Sequence, residues 1–130
     1  MSSRLNVVFL VSLLLVLCGC SGLNPFCSSS RPKPVLTSIS PSTVTLADVQ
    51  TGFVLTLTGS AFVASTVVVI NGTTMNTQVN SSTKLQVTVT SGLITAAGSA
   101  SVSAHTPDGT SGNLGCSSGG DSAVEVLTIQ

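Results

Sequence analysis

The amino-acid sequence predicts an all-β protein, and three observations support this prediction. Several short segments alternate apolar and polar residues with a period of two, which is the pattern of a half-buried strand. Turn-forming Gly, Asn, Pro and Ser separate these segments. No stretch has a helical repeat of convincing length. About seven short strands at this spacing indicate a β-sandwich.

Two predicted strands flank a corner at residues 59–62, and the rest of the pattern is arranged around them. In residues 53–58 the odd-numbered positions are Phe or Leu, so one face of the first strand is apolar. Residues 67–70 are all β-branched, which suits a pleated surface. Asn71 and Gly72 follow, and these residues favour the two positive-φ positions of a type I′ hairpin turn.

The remaining strands follow from the same alternation. In the last segment the alternation does not determine which face is buried, because Val124 and Val126 share one side while Leu127 and Ile129 share the other. The predicted strands are residues 35–40, 43–46, 53–58, 66–70, 73–79, 84–90, 99–105 and 123–129.

The composition indicates a single extracytoplasmic domain. The chain has 130 residues, no net charge, 42% apolar residues and only 6% charged residues. This length suits one domain, and the polar surface must be built from Ser, Thr, Asn and Gly instead of charges. Among residues 20–130 the positive charges are Arg31, Lys33 and Lys84, and two of them precede residue 35. The predicted domain therefore has no basic patch for nucleic acid.

The first residues have the pattern of a secretory signal. Arg4 precedes an apolar run at residues 7–17 that only Ser12 interrupts. The run is shorter than the roughly 20 residues that span a bilayer, and small residues follow it, as in a signal peptide. An ordinary cleaved signal with incidental cysteines is one interpretation of this segment.

A more specific interpretation comes from residues 17–21, Leu-Cys-Gly-Cys-Ser, which resemble the lipobox of bacterial lipoproteins. The resemblance implies cleavage before Cys20, diacylglycerol on its sulfur and acylation of its new amine. Ser21 after that cysteine implies export to an outer membrane of the cell envelope, on either its periplasmic or its surface face. The expected organisation is a signal peptide at 1–19, a lipidated flexible tether rich in Pro and Ser at 20–34, and a β-sandwich domain at 35–130.

The predicted domain resembles an IPT/TIG domain in several segments that occur in the family's order. They are VLTSISP at 35–41, LTLTGSAF at 55–62, VVVING at 67–72, LQVTV at 85–89, Ala97-Gly98 followed by Val102, and TPDGTS at 106–111. The resemblance implies an immunoglobulin-like sandwich, as used in surface receptors, secreted enzymes and some transcription factors. Residues 112–121 depart from the family, because they are longer and richer in Gly and Ser than its usual last turn.

A disulfide is expected between Cys27 and Cys116. If Cys18 leaves with the signal and Cys20 is acylated, these are the two remaining thiols, in an oxidising compartment. In immunoglobulin-like sandwiches the first strand commonly runs parallel beside the last. Cys27 lies eight residues before the first predicted strand and Cys116 lies seven before the last, so both are expected at the same end of the domain.

Catalytic and metal sites are not predicted. Residues 115–119 match the letters G-x-S-x-G, but the nucleophile elbow needs a strand before it and a helix after it. Here the match lies in a Gly/Ser loop, and His105 precedes the serine instead of following it. Asp108 and Asp121 are too few for calcium, which takes roughly six to eight oxygen ligands. We therefore expect no enzyme activity, no cofactor and no metal.

The expected function is protein contact or scaffolding at the cell envelope, with an envelope or extracellular protein as partner. Loops on a rigid sandwich commonly hold recognition residues, and a sheet edge can accept a strand from a partner. A carbohydrate-binding accessory module is the alternative, although sugar sites usually need exposed Trp or Tyr, and the sequence has neither. The candidate contact loop comprises Pro107, Asp108, Gly109, Gly112, Asn113 and Leu114.

The lipobox resemblance predicts that Cys20 is the N-terminal residue of the mature protein and is acylated. Acyl chains contribute about 0.8 kcal/mol for each CH₂ group buried in a bilayer, so the mature protein should partition into detergent and Cys20→Ser should not. Mass spectrometry of the N-terminal peptide measures the modification. A mature chain with a free amine on Ser21 or a later residue contradicts the prediction.

Overall fold

The computed structural model describes residues 31–109 and 119–130, which form two packed β-sheets and one short helix. The elements are β1 Val35–Ser40, β2 Thr43–Val44, α1 Leu46–Thr51, β3 Phe53–Ser60, β4 Val67–Ile70, β5 Thr73–Thr74, β6 Thr77–Ser81, β7 Lys84–Val89, β8 Gly98–Thr106, β9 Gly120–Asp121 and β10 Glu125–Ile129. Sheet A has the strand order β1-β3-β7-β6, and sheet B has the order β2-β10-β8-β4-β5, with β9 paired beside β8. The predicted all-β sandwich is confirmed.

The core lies between the inner faces of the two sheets. Leu55 and Leu57 of β3 are fully buried in the same cluster as Val68 and Ile70 of β4. Burying a side chain of this size contributes about 1.5–3 kcal/mol, so the period-two segments supply most of the apolar area that holds the sheets together. The outward residues of β3 are mainly Thr and Ser, whereas those of β4 are the half-buried Val67 and Val69.

The structure settles which face of the last strand is buried. Leu127 and Ile129 point into the core, whereas Val124 and Val126 are 59% and 56% exposed. β10 pairs antiparallel with β8, with Leu127 opposite Ala100. The predicted strand at 123–129 is shortened to Glu125–Ile129, and β9 was not predicted as a separate strand.

The predicted strand at 43–46 is partly wrong, because a helix begins where it was expected to continue. The Thr45 hydroxyl accepts a hydrogen bond from Asp48 N at 3.2 Å, and the Asp48 carboxylate accepts one from Thr45 N at 2.8 Å. This reciprocal capping box satisfies amide groups that have no partner inside a helix. Hydrogen bonds from the Thr45 hydroxyl and amide lower the pKa of Asp48 below its ordinary 3.8. The ionised Asp48 carboxylate therefore stabilises the start of the helix at a pH above 3.8, and this contribution is lost as the pH falls and Asp48 is protonated.

The predicted strand at 73–79 is divided between the two sheets. β5 pairs with β4 in sheet B, whereas β6 pairs with β7 in sheet A. Between them, Met75 N donates to Val68 O at 2.8 Å, and the Thr77 hydroxyl accepts from Val68 N at 2.8 Å. The same hydroxyl donates to Met75 O at 3.0 Å, so one threonine side chain secures the change of sheet.

The first two strands also lie in different sheets. β1 runs antiparallel beside β3 in sheet A, and β2 runs parallel beside β10 in sheet B. The expected parallel pairing of the first strand with the last is therefore made by the two-residue β2 and not by β1.

The predicted Asn-Gly turn is confirmed. Asn71 and Gly72 have φ angles of +49° and +80°, and Ile70 pairs with Thr73 across the turn. The Asn71 side-chain oxygen accepts from Ser101 N at 2.9 Å, and Asn71 N donates to Ser101 O at 2.9 Å. The turn therefore also continues the hydrogen bonding between β4 and β8.

The corner at residues 59–62 takes the chain from sheet A to sheet B. A Cβ atom on Gly59 would overlap the Val35 carbonyl oxygen and lie 2.7 Å from Cζ of the buried Phe62 ring. Gly59 N donates to Thr83 O, and Phe62 N donates to Ser82 O, both at 3.0 Å. Only glycine leaves room for the ring and the β1 backbone in this position.

We predict that Gly59→Ala destabilises the domain by about 2 kcal/mol or more, because the added methyl group must displace backbone as well as the Phe62 ring. Urea unfolding followed by circular dichroism measures the change. Gly92→Ala is the control, because a Cβ atom there approaches nothing closer than the Thr90 hydroxyl at 4.0 Å. Its effect should stay within about 0.5 kcal/mol. Equal stabilities of the two variants would contradict the proposed role of Gly59.

Candidate contact surface

The described part of the predicted contact loop lies where β8 ends. Pro107 and Gly109 are half-buried and Asp108 is exposed. The guanidinium of Arg31 donates from Nη1 to Pro107 O at 3.3 Å. This bond brings the chain before β1 and the chain after β8 to the same end of the sandwich, which we call the contact end and define by Arg31 and residues 107–109.

The structure places three of the six candidate contact residues. Gly112, Asn113 and Leu114 lie outside the described residues, as do Cys20, Cys27 and Cys116. The described residues nearest in sequence to Cys27 and Cys116 are Arg31 and Gly119. Arg31 is bonded to Pro107, and the Gly119 backbone packs against the carbonyl group of Thr106. Both flanks of the expected disulfide therefore reach one end of the domain, and the disulfide stays a prediction.

A buried pair of hydroxyl groups lies next to the contact end, because one of them belongs to Thr106, which directly precedes Pro107. Thr66 and Thr106 are 1% and 0% exposed, and their Oγ1 atoms lie 2.9 Å apart. Val63 N also donates to the Thr66 hydroxyl at 2.9 Å. A Cβ atom on Gly119 would lie 2.9 Å from Cβ of Thr106, so this glycine is held close to the pair. The sequence did not predict this pair, because the two threonines are 40 positions apart and only the fold brings them together.

His105 and Asp121 form a hydrogen-bonded pair at the surface beside the contact end. His105 Nδ1 lies 2.7 Å from Asp121 Oδ1, and the two side chains are 38% and 71% exposed. Exposed pairs of this kind contribute at most about 1 kcal/mol. The pair joins β8 to β9, and Ser122 continues this contact through its hydroxyl, which accepts from Ala104 N at 2.9 Å. The partner of His105 could not be read from the sequence, because only the fold brings positions 105 and 121 together.

The described residues of this end offer hydrogen-bonding groups and the charges of Arg31 and Asp108. Within residues 31–109 and 119–130 no group of three or more His, Cys, Asp or Glu side chains is placed to hold a metal ion. Most of the G-x-S-x-G segment lies outside the described residues.

A second surface feature, which the sequence analysis missed, is a groove of about 440 Å³ on the outer face of sheet A. Asn80 Nδ2 donates to Gln86 Oε1 at 2.8 Å, and Gln86 Nε2 donates to Thr56 Oγ1 at 3.4 Å. The register of β6 against β7 places Gln78 opposite Gln86, so side-chain amides from two strands share the outer face of sheet A. We call this feature the amide groove; its lining is uncharged and comprises Val54, Asn76, Thr77, Gln78, Gln86, Val87 and Thr88.

Comparison with known proteins adds no family to this description, because no protein-family model and no curated protein matches the chain. None of the helical structure in the two described ranges combines the length and the hydropathy required for a transmembrane segment.

We predict that Thr66→Val destabilises the domain by about 1–3 kcal/mol, because it removes a hydrogen-bond partner from the buried Thr106 hydroxyl and from Val63 N. Thr106→Val should act similarly. The double variant should lose less stability than the sum of the two, since neither hydroxyl is then left alone. A double-mutant cycle from urea unfolding measures this coupling. Additive losses would show that the two hydroxyl groups do not depend on each other.

Proposed function

We propose that this chain is a lipid-anchored protein of the bacterial cell envelope that presents one IPT/TIG-like sandwich for protein contact or scaffolding, without catalysing a reaction. The observation that most supports this proposal is the position of Arg31. Its hydrogen bond to Pro107 O links the segment that leads back to Cys20 with the loop after β8. The chain therefore enters the domain beside the described part of the proposed contact loop.

The distance to the anchor limits which partners the contact end can reach. Cys20 and Arg31 are eleven positions apart, and a fully extended chain spans at most about 3.6 Å per residue. The contact end therefore stays within about 40 Å of an acylated Cys20. This geometry favours a partner that is itself held at the same membrane.

The residues of the contact end favour a weak and polar contact. Asp108 is exposed, and the cation of Arg31 lies close to it in the fold through its bond to Pro107. Residues 107–109 contain no aromatic side chain, and Trp and Tyr are among the residues that contribute most to tight interfaces. Opposite charges at an interface mainly increase the rate and specificity of association, so we expect a reversible contact.

A carbohydrate-binding module is the second candidate, and the amide groove favours it. Amide and hydroxyl groups both donate and accept hydrogen bonds, as sugar hydroxyls require, and no charged residue lines the groove. Val54 is 53% exposed and offers an apolar patch beside these groups. The groove has no aromatic platform, so this function ranks below protein contact.

In-cell photo-crosslinking distinguishes the two functions. A photo-crosslinking residue at Asp108 should give protein adducts, and one at the exposed Thr95, in the loop at the opposite end, should not. Cys20→Ser should reduce the adducts at position 108, because it releases the domain from the membrane. Purified mature protein is tested on a glycan array in parallel. Glycan binding that Gln86→Ala abolishes, with no adduct at position 108, would favour the carbohydrate module.

A further inference from the structure

We infer that the outer edge of β6 pairs antiparallel with β6 of a second copy of this chain, so that two four-stranded sheets join into one. Within the described residues, the main chain of β6 pairs only with β7, and β6 ends the strand order of sheet A. An unpaired edge exposes N–H and C=O groups that another strand can bind. This inference does not depend on the anchor or on the contact end.

The other sheet edges have features that hinder strand pairing, and β6 has fewer of them. β1 follows Pro34 and its register against β3 shifts between Leu36 and Ser38. β2 and β5 have two residues each. Short strands, irregular register and proline are the usual protections of an edge. β6 has five residues and no proline, and its one register shift against β7 falls at its end, between Val79 and Ser81.

The electrostatics of this edge favour an identical partner. No charged residue occurs between Asn71 and Thr83, so two copies meet there without repulsion. A two-fold interface uses the same surface on both subunits. In an antiparallel pair centred on Gln78, the exposed Gln78 amide meets its own copy and Asn76 meets Asn80 of the other copy, and these amides can both donate and accept hydrogen bonds. Val79 is half-buried and packs against the core, so a second β6 would cover its remaining apolar surface.

The size of the contact sets its strength. A five-residue strand buries less than the roughly 800 Å² per partner of a standard stable interface. We therefore expect a weak association, in which the fraction of paired copies rises with protein concentration. Confinement of both copies to one membrane would raise their effective concentration and strengthen it.

The test uses the full chain in cells, expressed as two copies with different tags and with a photo-crosslinking residue at Asn76. The expected result is an adduct that contains both tags. Gln78→Lys in both copies should reduce its yield at least about fivefold, because like charges then face each other across the pairing. Gln78→Lys in one copy with Gln78→Glu in the other should restore it, which excludes misfolding as the cause. A crosslinking residue at Thr95 is the positional control.

Several outcomes overturn the inference. They are the absence of a doubly tagged adduct, equal yields for the three charge combinations, and adducts from position 76 that contain only another protein or only residues 1–30 of the same copy. The proposed function is judged separately by the adducts at position 108. Loss of one set of adducts while the other persists therefore identifies which proposal fails.

Discussion

The close approach of the chain at Gly59 is the constraint on which the two-sheet arrangement depends. At this point the chain must leave β3 in sheet A and reach β4 in sheet B within a few residues. The turn is possible because the Phe62 ring occupies the space where a side chain at position 59 would lie, beside the β1 backbone. Hydrogen bonds from Gly59 and Phe62 to the β6–β7 turn hold the corner in place. The corner at the end of β3 thus contacts both β1 and the turn between β6 and β7.

Threonine side chains make many of the hydrogen bonds that fix the fold of this domain. Thr45 caps the helix, Thr77 secures the change from sheet B to sheet A, and the Thr66 and Thr106 hydroxyls satisfy each other in the core. A threonine side chain suits a strand and still donates and accepts hydrogen bonds. The domain can therefore be stable with few charges, and large parts of its surface remain neutral.

The two proposed contacts lie on different parts of the domain. The contact end lies where the chain enters the domain, whereas the β6 edge and the amide groove lie on the side of sheet A. A module that contacts one partner through its end and its own copy through its side could link several partners into an array. That arrangement is consistent with the proposed scaffolding role, and it requires no reactive side chains.

Alternation along the chain was sufficient to place most strands, and Asn71-Gly72 was sufficient to predict a hairpin turn, because φ preference and side-chain period are local properties. The six-residue helix α1 was missed although Thr45 and Asp48 have the spacing of a capping box, since so short a helix has no apolar repeat. Only the tertiary structure decided that residues 73–79 divide between two sheets, that Leu127 and not Val126 faces the core, and that Gln78 lies opposite Gln86. These features depend on which strands become neighbours, and that choice is made by burial of all the apolar faces together.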